Sequence, residues 1–461
     1  VLIFALVLTM AAPATEVPRT LRLDYVHSGS AQEERFALDR LVLEGPWPGR
    51  PDRALDPTGY GKYFFEVKDA PGGRVLYSRG FASVYGEWET TGEAARTTRA
   101  FHESLRFPLP AAPVQVVLSK RAEDQSFRPV WTVAVDPADP SVDRAPPPPF
   151  RLWAVQKSGE PRDKVDLLLL GDGYTAAEMD LWHEDARRLA EMLFAVSPFR
   201  ERRADFNVWA VDTPAEESGV SRPSDGVWRR SPLRATYDAF GSERYVLAFD
   251  NARLREAASA APYEFVQIAV NERKYGGGGI YNLYATVAAR SAWAPYLFVH
   301  EFAHHFAGLA DEYYTSPVAY APAPAGARVE PWEANATADP AATRWRGLVA
   351  PGTPLPTPWP KEEFEAAQRE IQARRRKIRE EKRPEEEMDA LFREEQRRMT
   401  ALLAPHAGRV GAFEGAMYEA RGLFRPQADC IMFTRNEVPF CAACRRALLR
   451  IIDLYSRPPG P

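Results

Sequence analysis

The chain has 461 residues, 45% of them hydrophobic and 11% aromatic, which is about three times the usual ~150-residue domain and rules out a wholly disordered polymer. Its 59 Lys and Arg stand against 63 Asp and Glu for a formal net charge of −4, leaving no global field to hold nucleic acid or an acidic membrane. Three cysteines cannot staple a chain of this size, and 41 prolines suit strand edges and long connections better than an all-helical bundle.

Residues 1–14, VLIFALVLTMAAPA, form the one long uncharged apolar stretch. It is short of the ~20 residues that span a bilayer. It closes on Ala12-Pro13-Ala14, a small-residue pattern of the kind cut by signal peptidase, and polar sequence follows from Thr15. The stretch therefore reads as the remainder of a secretory signal. It predicts a soluble exported protein, extracellular or periplasmic, with no stable membrane insertion.

Residues 15–145 carry short alternating runs such as Lys62-Tyr63-Phe64-Phe65-Glu66-Val67 and Val114-Gln115-Val116-Val117-Leu118, broken by Pro71-Gly72-Gly73 and Pro108-Leu109-Pro110. That pattern predicts an N-terminal β-sandwich. The prolines 146–149 then make residues 146–150 a semi-rigid linker. From 151 to 461 the pattern is mixed α/β: a buried strand at 165–170 with a Gly171-Asp172-Gly173 turn, a helix over 176–195, and strands at 206–211, 245–249 and 265–270. Glycines 276–279 lack the G-x-G-x-x-G spacing of a phosphate loop and precede 280–287, which reads as one edge strand. In 361–403, Phe364, Ile371 and Ile378 recur every seven residues, Arg383-Pro384 interrupts, and Met388, Phe392 and Met399 resume the stripe. Two antiparallel helices in a protruding, solvated hairpin account for this, and the basic run Arg374-Arg375-Arg376-Lys377 is offset by neighbouring glutamates.

Chemistry concentrates at His300-Glu301-Phe302-Ala303-His304, within a predicted apolar helix over 294–306. Residues i and i+4 share a helix face, so both imidazoles can reach one metal ion, while Glu301, about 100° round, stands beside the open coordination position. This is the arrangement needed for zinc-activated water with a carboxylate to take its proton. A third protein ligand is required. Gly308 can end the helix in a left-handed conformation and turn the backbone back, and Asp311 is the first residue beyond it with a side chain able to ligate. Glu312 is the next choice, with Glu330 or Glu333 behind it, and His305, displaced round the helix, reads as a supporting or exposed residue.

The run 300–314, the later Cys430-Ile431-Met432 and the closing Phe440-Cys441-Ala442-Ala443-Cys444-Arg445 resemble the IgA-peptidase-type family of zinc metallopeptidases, relatives of the metzincins. Arg79-Gly80-Phe81-Ala82-Ser83 adds to the likeness, which covers nearly the whole chain. The resemblance implies an α+β protein with a β-sandwich ahead of a zincin-like (metzincin-like) catalytic domain, which here carries a helical-hairpin insertion at about 361–403. It implies His300 and His304 as ligands of Zn2+, Glu301 as catalytic base, and Met432 in a methionine turn beneath the metal. The metzincin pattern H-E-x-x-H-x-x-G-x-x-H would put glycine at 307 and histidine at 310. This chain has Ala307 and Ala310, and Gly308 with Asp311 keeps the spacing displaced by one.

Cys430, Cys441 and Cys444 all fall near the end of the chain. A lone Cys-x-x-Cys is redox-active or half of a zinc site, but no second pair completes one, and export favours one disulfide from Cys430 to Cys441 or Cys444. The expected activity is that of a secreted zinc endopeptidase acting on protein or peptide. Two rivals are a glycan-binding surface protein with a structural metal and a zinc hydrolase of non-peptide amides.

Overall fold

The computed structural model describes residues 17–70, 72–320 and 328–456, so the apolar run at 1–14 lies outside the described residues. In chain order the first part comprises β1 (Arg19–Gly29), β2 (Glu34–Pro46), β3 (Tyr63–Asp69), β4 (Val75–Phe81), the short helix α1 (Val84–Trp88), β5 (Arg99–Pro108), β6 (Val114–Arg121) and β7 (Phe127–Val135). They pair as two antiparallel sheets, β2-β1-β5 and β4-β3-β6-β7. Period-two alternation decides which side chains go inside: Tyr63, Phe65 and Val67 of β3 meet Leu21, Leu23 and Tyr25 of β1 and Leu105 and Phe107 of β5 in one shared core.

The rest of the chain supplies β8 (Arg151–Gln156), β9 (Val165–Asp172), α2 (Met179–Phe194), β10 (Phe206–Asp212), the two-residue pair β11 (Ala235–Thr236) and β12 (Leu247–Ala248), α3 (Asn251–Ala258), β13 (Phe265–Val270), β14 (Gly277–Ile280) and β15 (Tyr284–Ala288). After these come α4 (Ala294–Ala307), α5 (Lys361–Glu380), α6 (Glu385–Leu403), the hairpin β16 (Val410–Ala416) and β17 (Glu419–Gln427), and α7 (Ala442–Tyr455). Six strands form one mixed sheet, β14-β15-β13-β9-β10-β8, parallel in the middle and antiparallel at both edges. Every residue of β9 is buried, which is why its sequence is a continuous apolar run. Leu167 and Leu169 join the core under α2, α4 and α7, while Leu168 and Leu170 join the core on the opposite face, shared with Ala82, Val84, Tyr85, Trp88 and Phe101 of the N-terminal part. The mixed α+β architecture thus agrees with expectation. Among the described residues no helix is long and apolar enough to cross a membrane.

Two expectations are corrected. Residues 280–287 are not one edge strand: a turn at 281–283 separates β14 from β15, β15 is interior, and the edge strand is the glycine segment itself. The helices α5 and α6 do pair, with Arg374 to Glu394 at 2.6 Å and Arg398 to Glu370 at 2.7 Å, but they do not protrude. Phe364, Ile371, Ile378, Met388, Phe392 and Met399 belong to the main helical core, and the ring of Phe392 meets Tyr275 and Trp293 with centroids 5.1 and 5.8 Å apart. The seven-residue stripe was therefore a packing face against the domain and not only a seam between the two helices. Phe392→Ala should cost about 3–5 kcal/mol of unfolding free energy by chemical denaturation. A solvated arm would lose well under 1 kcal/mol.

Candidate metal centre

Helix α4 is apolar almost all round, and Leu297, Phe298, Phe302 and Phe306 are buried in the main core. It ends at Gly308, whose φ of 58° is left-handed and whose N–H donates to His304 O at 2.9 Å. The backbone then doubles back as anticipated. Leu309 O accepts the His304 Nδ1 proton at 2.5 Å, and the amide of Asn335 clamps Ala310 on both sides, accepting from its N–H at 2.8 Å and donating to its carbonyl at 2.9 Å.

This return brings Asp311 to the histidines. His300 Nε2 and His304 Nε2 are 3.2 Å apart, and Asp311 Oδ1 lies 3.0 Å from the first and 3.2 Å from the second. Ligands at ~2.0–2.1 Å from a tetrahedral ion are spaced about 3.3 Å from each other, so the triangle fits a zinc-sized cation. Two further observations support the fit. Asp311 Oδ1 is buried and takes no well-formed hydrogen bond despite both ring nitrogens beside it. His300 Nδ1 donates to Ile431 O at 3.0 Å, as His304 Nδ1 does to Leu309 O, and these bonds fix the tautomers that leave both Nε2 lone pairs free. Burial works against ionisation of Asp311, and a cation shared with the two imidazoles would offset that cost. The remaining oxygen, Oδ2, accepts from the Tyr418 hydroxyl at 2.5 Å.

Glu301 faces a cleft of about 550 Å³ that His304, Asp311, Tyr313 and Tyr418 also line. Burial pushes its carboxyl above the usual range, against the opposing pull of the two imidazoles. Across the cleft stand Glu87, Arg121 and Gln125 of the N-terminal part. The glycine run explains how edge strand and helix approach so closely. A Cβ on Gly277 would lie 3.0 Å from Glu301 Cγ, and one on Gly279 would collide with Glu301 O and sit 2.9 Å from His304 Cβ.

The other anticipated residues fall elsewhere. Glu312 turns away from the histidines, its Oε1 taking a bond from Asn335 Nδ2 at 3.0 Å. Glu330 is occupied by Thr337 and Ala338, and Glu333 lines the cleft outside the three-donor cluster. His305 is fully buried and structural: Nδ1 donates to Ile280 O, Nε2 accepts from Val266 N–H, and burial pushes its pKa down to about 3. Met432 is buried in a turn, and its carbonyl accepts from Glu312 N–H at 2.9 Å. Of the tyrosines beside the motif, Tyr314 points to Glu365, whereas Tyr313 lines the cleft and its oxygen accepts from Arg244 at 3.0 Å. The expected disulfide is not formed: Cys430 Sγ and Cys444 Sγ are 3.9 Å apart, nearly twice the bonding distance of about 2.0 Å, and all three cysteines are free.

Sequence reasoning missed Asn335 and the β16–β17 hairpin, whose tip holds Met417 and Tyr418 at φ of 49° and 66°.

The model for IgA Peptidase M64 matches residues 153–452, and that for the Peptidase M64 N-terminus matches residues 14–132. The chain belongs to the IgA peptidase M64 family. It is a peptidase, in a family of metallopeptidases. Among curated proteins, none matches the chain at a significant level. In this M64 peptidase the Gly279→Ala variant should lose about 1–3 kcal/mol of stability by denaturant titration and at least about tenfold in peptide hydrolysis, because the strand must move off the helix. Unchanged values for both would show the close approach to be idle.

Proposed function

We propose that the chain is a secreted zinc endopeptidase in which His300, His304 and Asp311 hold the metal and Glu301 is the general base. The observation that carries this is the triangle of three donor atoms about 3 Å apart with an unsatisfied carboxylate oxygen at one corner. We place the catalytic half among the zincin-like folds on the same ground, together with the edge strand β14 that lies against the metal-binding helix. Zinc bound there would supply a Lewis acid that activates water at neutral pH and polarises a carbonyl. Glu301, raised in pKa and facing the cleft, takes the proton from the attacking water and returns it to the leaving amine. Tyr313, with Arg244 donating to its oxygen, supports the developing oxyanion, while Tyr418 is engaged in orienting Asp311.

An extended substrate pairs with β14. The outer side of Gly277 is already taken, its N–H by Arg244 O at 3.0 Å and its carbonyl by Val246 N–H at 3.2 Å. By strand alternation Gly279 turns its own N–H and C=O the same way, toward the cleft that it lines, and it is these groups that a peptide backbone would meet. The apolar start of the sequence supports action outside the cytoplasm.

Glu301→Ala should lower hydrolysis by at least about 100-fold while elemental analysis finds zinc unchanged. Activity retained alongside bound zinc would remove Glu301 from its role. Digestion of a protein mixture should yield new peptide ends that a chelator abolishes. Tyr418→Phe should weaken zinc by about 10–100-fold in chelator competition, because Asp311 loses the bond that orients it.

A further inference from the structure

Behind the candidate active site lies a second cluster. Glu312, Cys430, Cys441 and Cys444 each offer one ligand atom, all within 4.8 Å of one another, and all four residues are buried. Cys430 Sγ and Cys444 Sγ are 3.9 Å apart, and Glu312 Oε1 lies 3.3 Å from Cys444 Sγ and 3.7 Å from Cys441 Sγ. A tetrahedral zinc with Zn–S of about 2.3 Å and Zn–O of about 2.1 Å spaces its sulfurs about 3.8 Å apart and sulfur from oxygen about 3.6 Å. We propose that these four residues form a second, structural zinc site of Cys3Glu type, distinct from the catalytic one.

The surroundings are built for thiolates. Cys430 Sγ accepts backbone N–H bonds from Cys441 at 3.2 Å and Met432 at 3.5 Å, and Cys441 Sγ accepts from Cys444 N–H at 3.4 Å. Cys441 is the N-cap of α7 and Cys444 stands in its first turn, where the positive end of the helix dipole favours anionic sulfur. Buried Arg425 interacts electrostatically with both Glu312 and Cys430 and offsets part of the excess negative charge of four anionic ligands around a divalent ion. Glu312 Oε2 is buried without a hydrogen-bond partner. A carboxylate with one oxygen unpartnered, held this closely to three sulfurs out of water, is costly in its charged form, and a cation shared by the four groups would offset that cost. The C-x-x-C pair thus finds its missing ligands in Cys430 and in a glutamate far earlier in the chain.

The site would tie together three segments: the loop carrying Asp311, the turn whose Ile431 carbonyl orients His300, and α7. Its role is to position, with no part in the reaction.

The test uses the full chain, purified without chelator, with zinc as the probe. Elemental analysis should find two zinc ions per chain, and the double variant His300→Ala/His304→Ala should keep one. X-ray absorption at the zinc edge of that double variant should show a sulfur shell at about 2.3 Å. Its cobalt(II)-substituted form should show an intense near-ultraviolet sulfur-to-metal band. Glu312→Gln, which keeps every thiol, should weaken the remaining ion by about 10–100-fold in chelator competition. A double variant free of zinc, zinc with only nitrogen and oxygen neighbours, or mass mapping that finds Cys430 in a disulfide would each overturn the proposal. None of these readouts depends on hydrolysis, so failure here and failure of the catalytic reading are distinguishable.

Discussion

Two imidazoles one helical turn apart can aim their Nε2 lone pairs at one point only if each ring is prevented from turning, and the structure depends on how that is done. Each Nδ1 is tied to a main-chain carbonyl, and the two carbonyls come from different places: Leu309 just past the helix and Ile431 far along the chain. The first bond needs the left-handed break at Gly308, and the second needs the turn at 431–433 to be packed under α4. Asp311 closes the triangle because Asn335 fixes the residue before it and Tyr418 fixes its far oxygen. The three donor groups are therefore each held by bonds from the surrounding chain, which is how a protein lowers the reorganisation cost of binding an ion.

What could be read from the sequence divides along physical lines. The two histidines, Glu301, the helix end at Gly308 and the return of Asp311 are all local consequences of helical periodicity and one left-handed residue, and the structure brings these groups together. The strand runs at 62–67 and 165–170 were legible because burial writes period two or an unbroken apolar run into sequence. Partners set by tertiary contact were not legible. Nothing near Cys441 announces Glu312, nothing near Asp311 announces Asn335, and the stripe in α5 and α6 gives its apolar face without saying what covers it. The reason for the glycines at 276–279, a strand pressed against the backbone of α4, exists only in three dimensions.

The tip of the β16–β17 hairpin shows a local rule yielding to a distant need. Met417 and Tyr418 both adopt positive φ, at a cost of roughly 1–2 kcal/mol each for residues with a Cβ. In that conformation Met417 N–H reaches Asp311 O at 2.9 Å, Tyr418 N–H reaches Tyr313 O at 3.0 Å, and the Tyr418 hydroxyl reaches the Asp311 carboxylate. Strain at the tip is balanced by three bonds to the segment that bears the candidate ligand. This placement fits the tendency of unfavourable backbone to gather where geometry must be held.

The two halves of the chain meet in a seam of main-chain and side-chain bonds: Ala82 N–H to Tyr281 O at 2.9 Å, Asn282 Nδ2 to Gly80 O at 3.0 Å, and Arg79 to the Tyr455 hydroxyl at 3.3 Å. The same union sets Glu87, Arg121 and Gln125 opposite the helix that carries the histidines. Both stretches of polypeptide therefore line one cleft. The shape of the cleft that Glu301 faces is thus a property of that union, and loosening the seam would reshape it without any change in α4 itself.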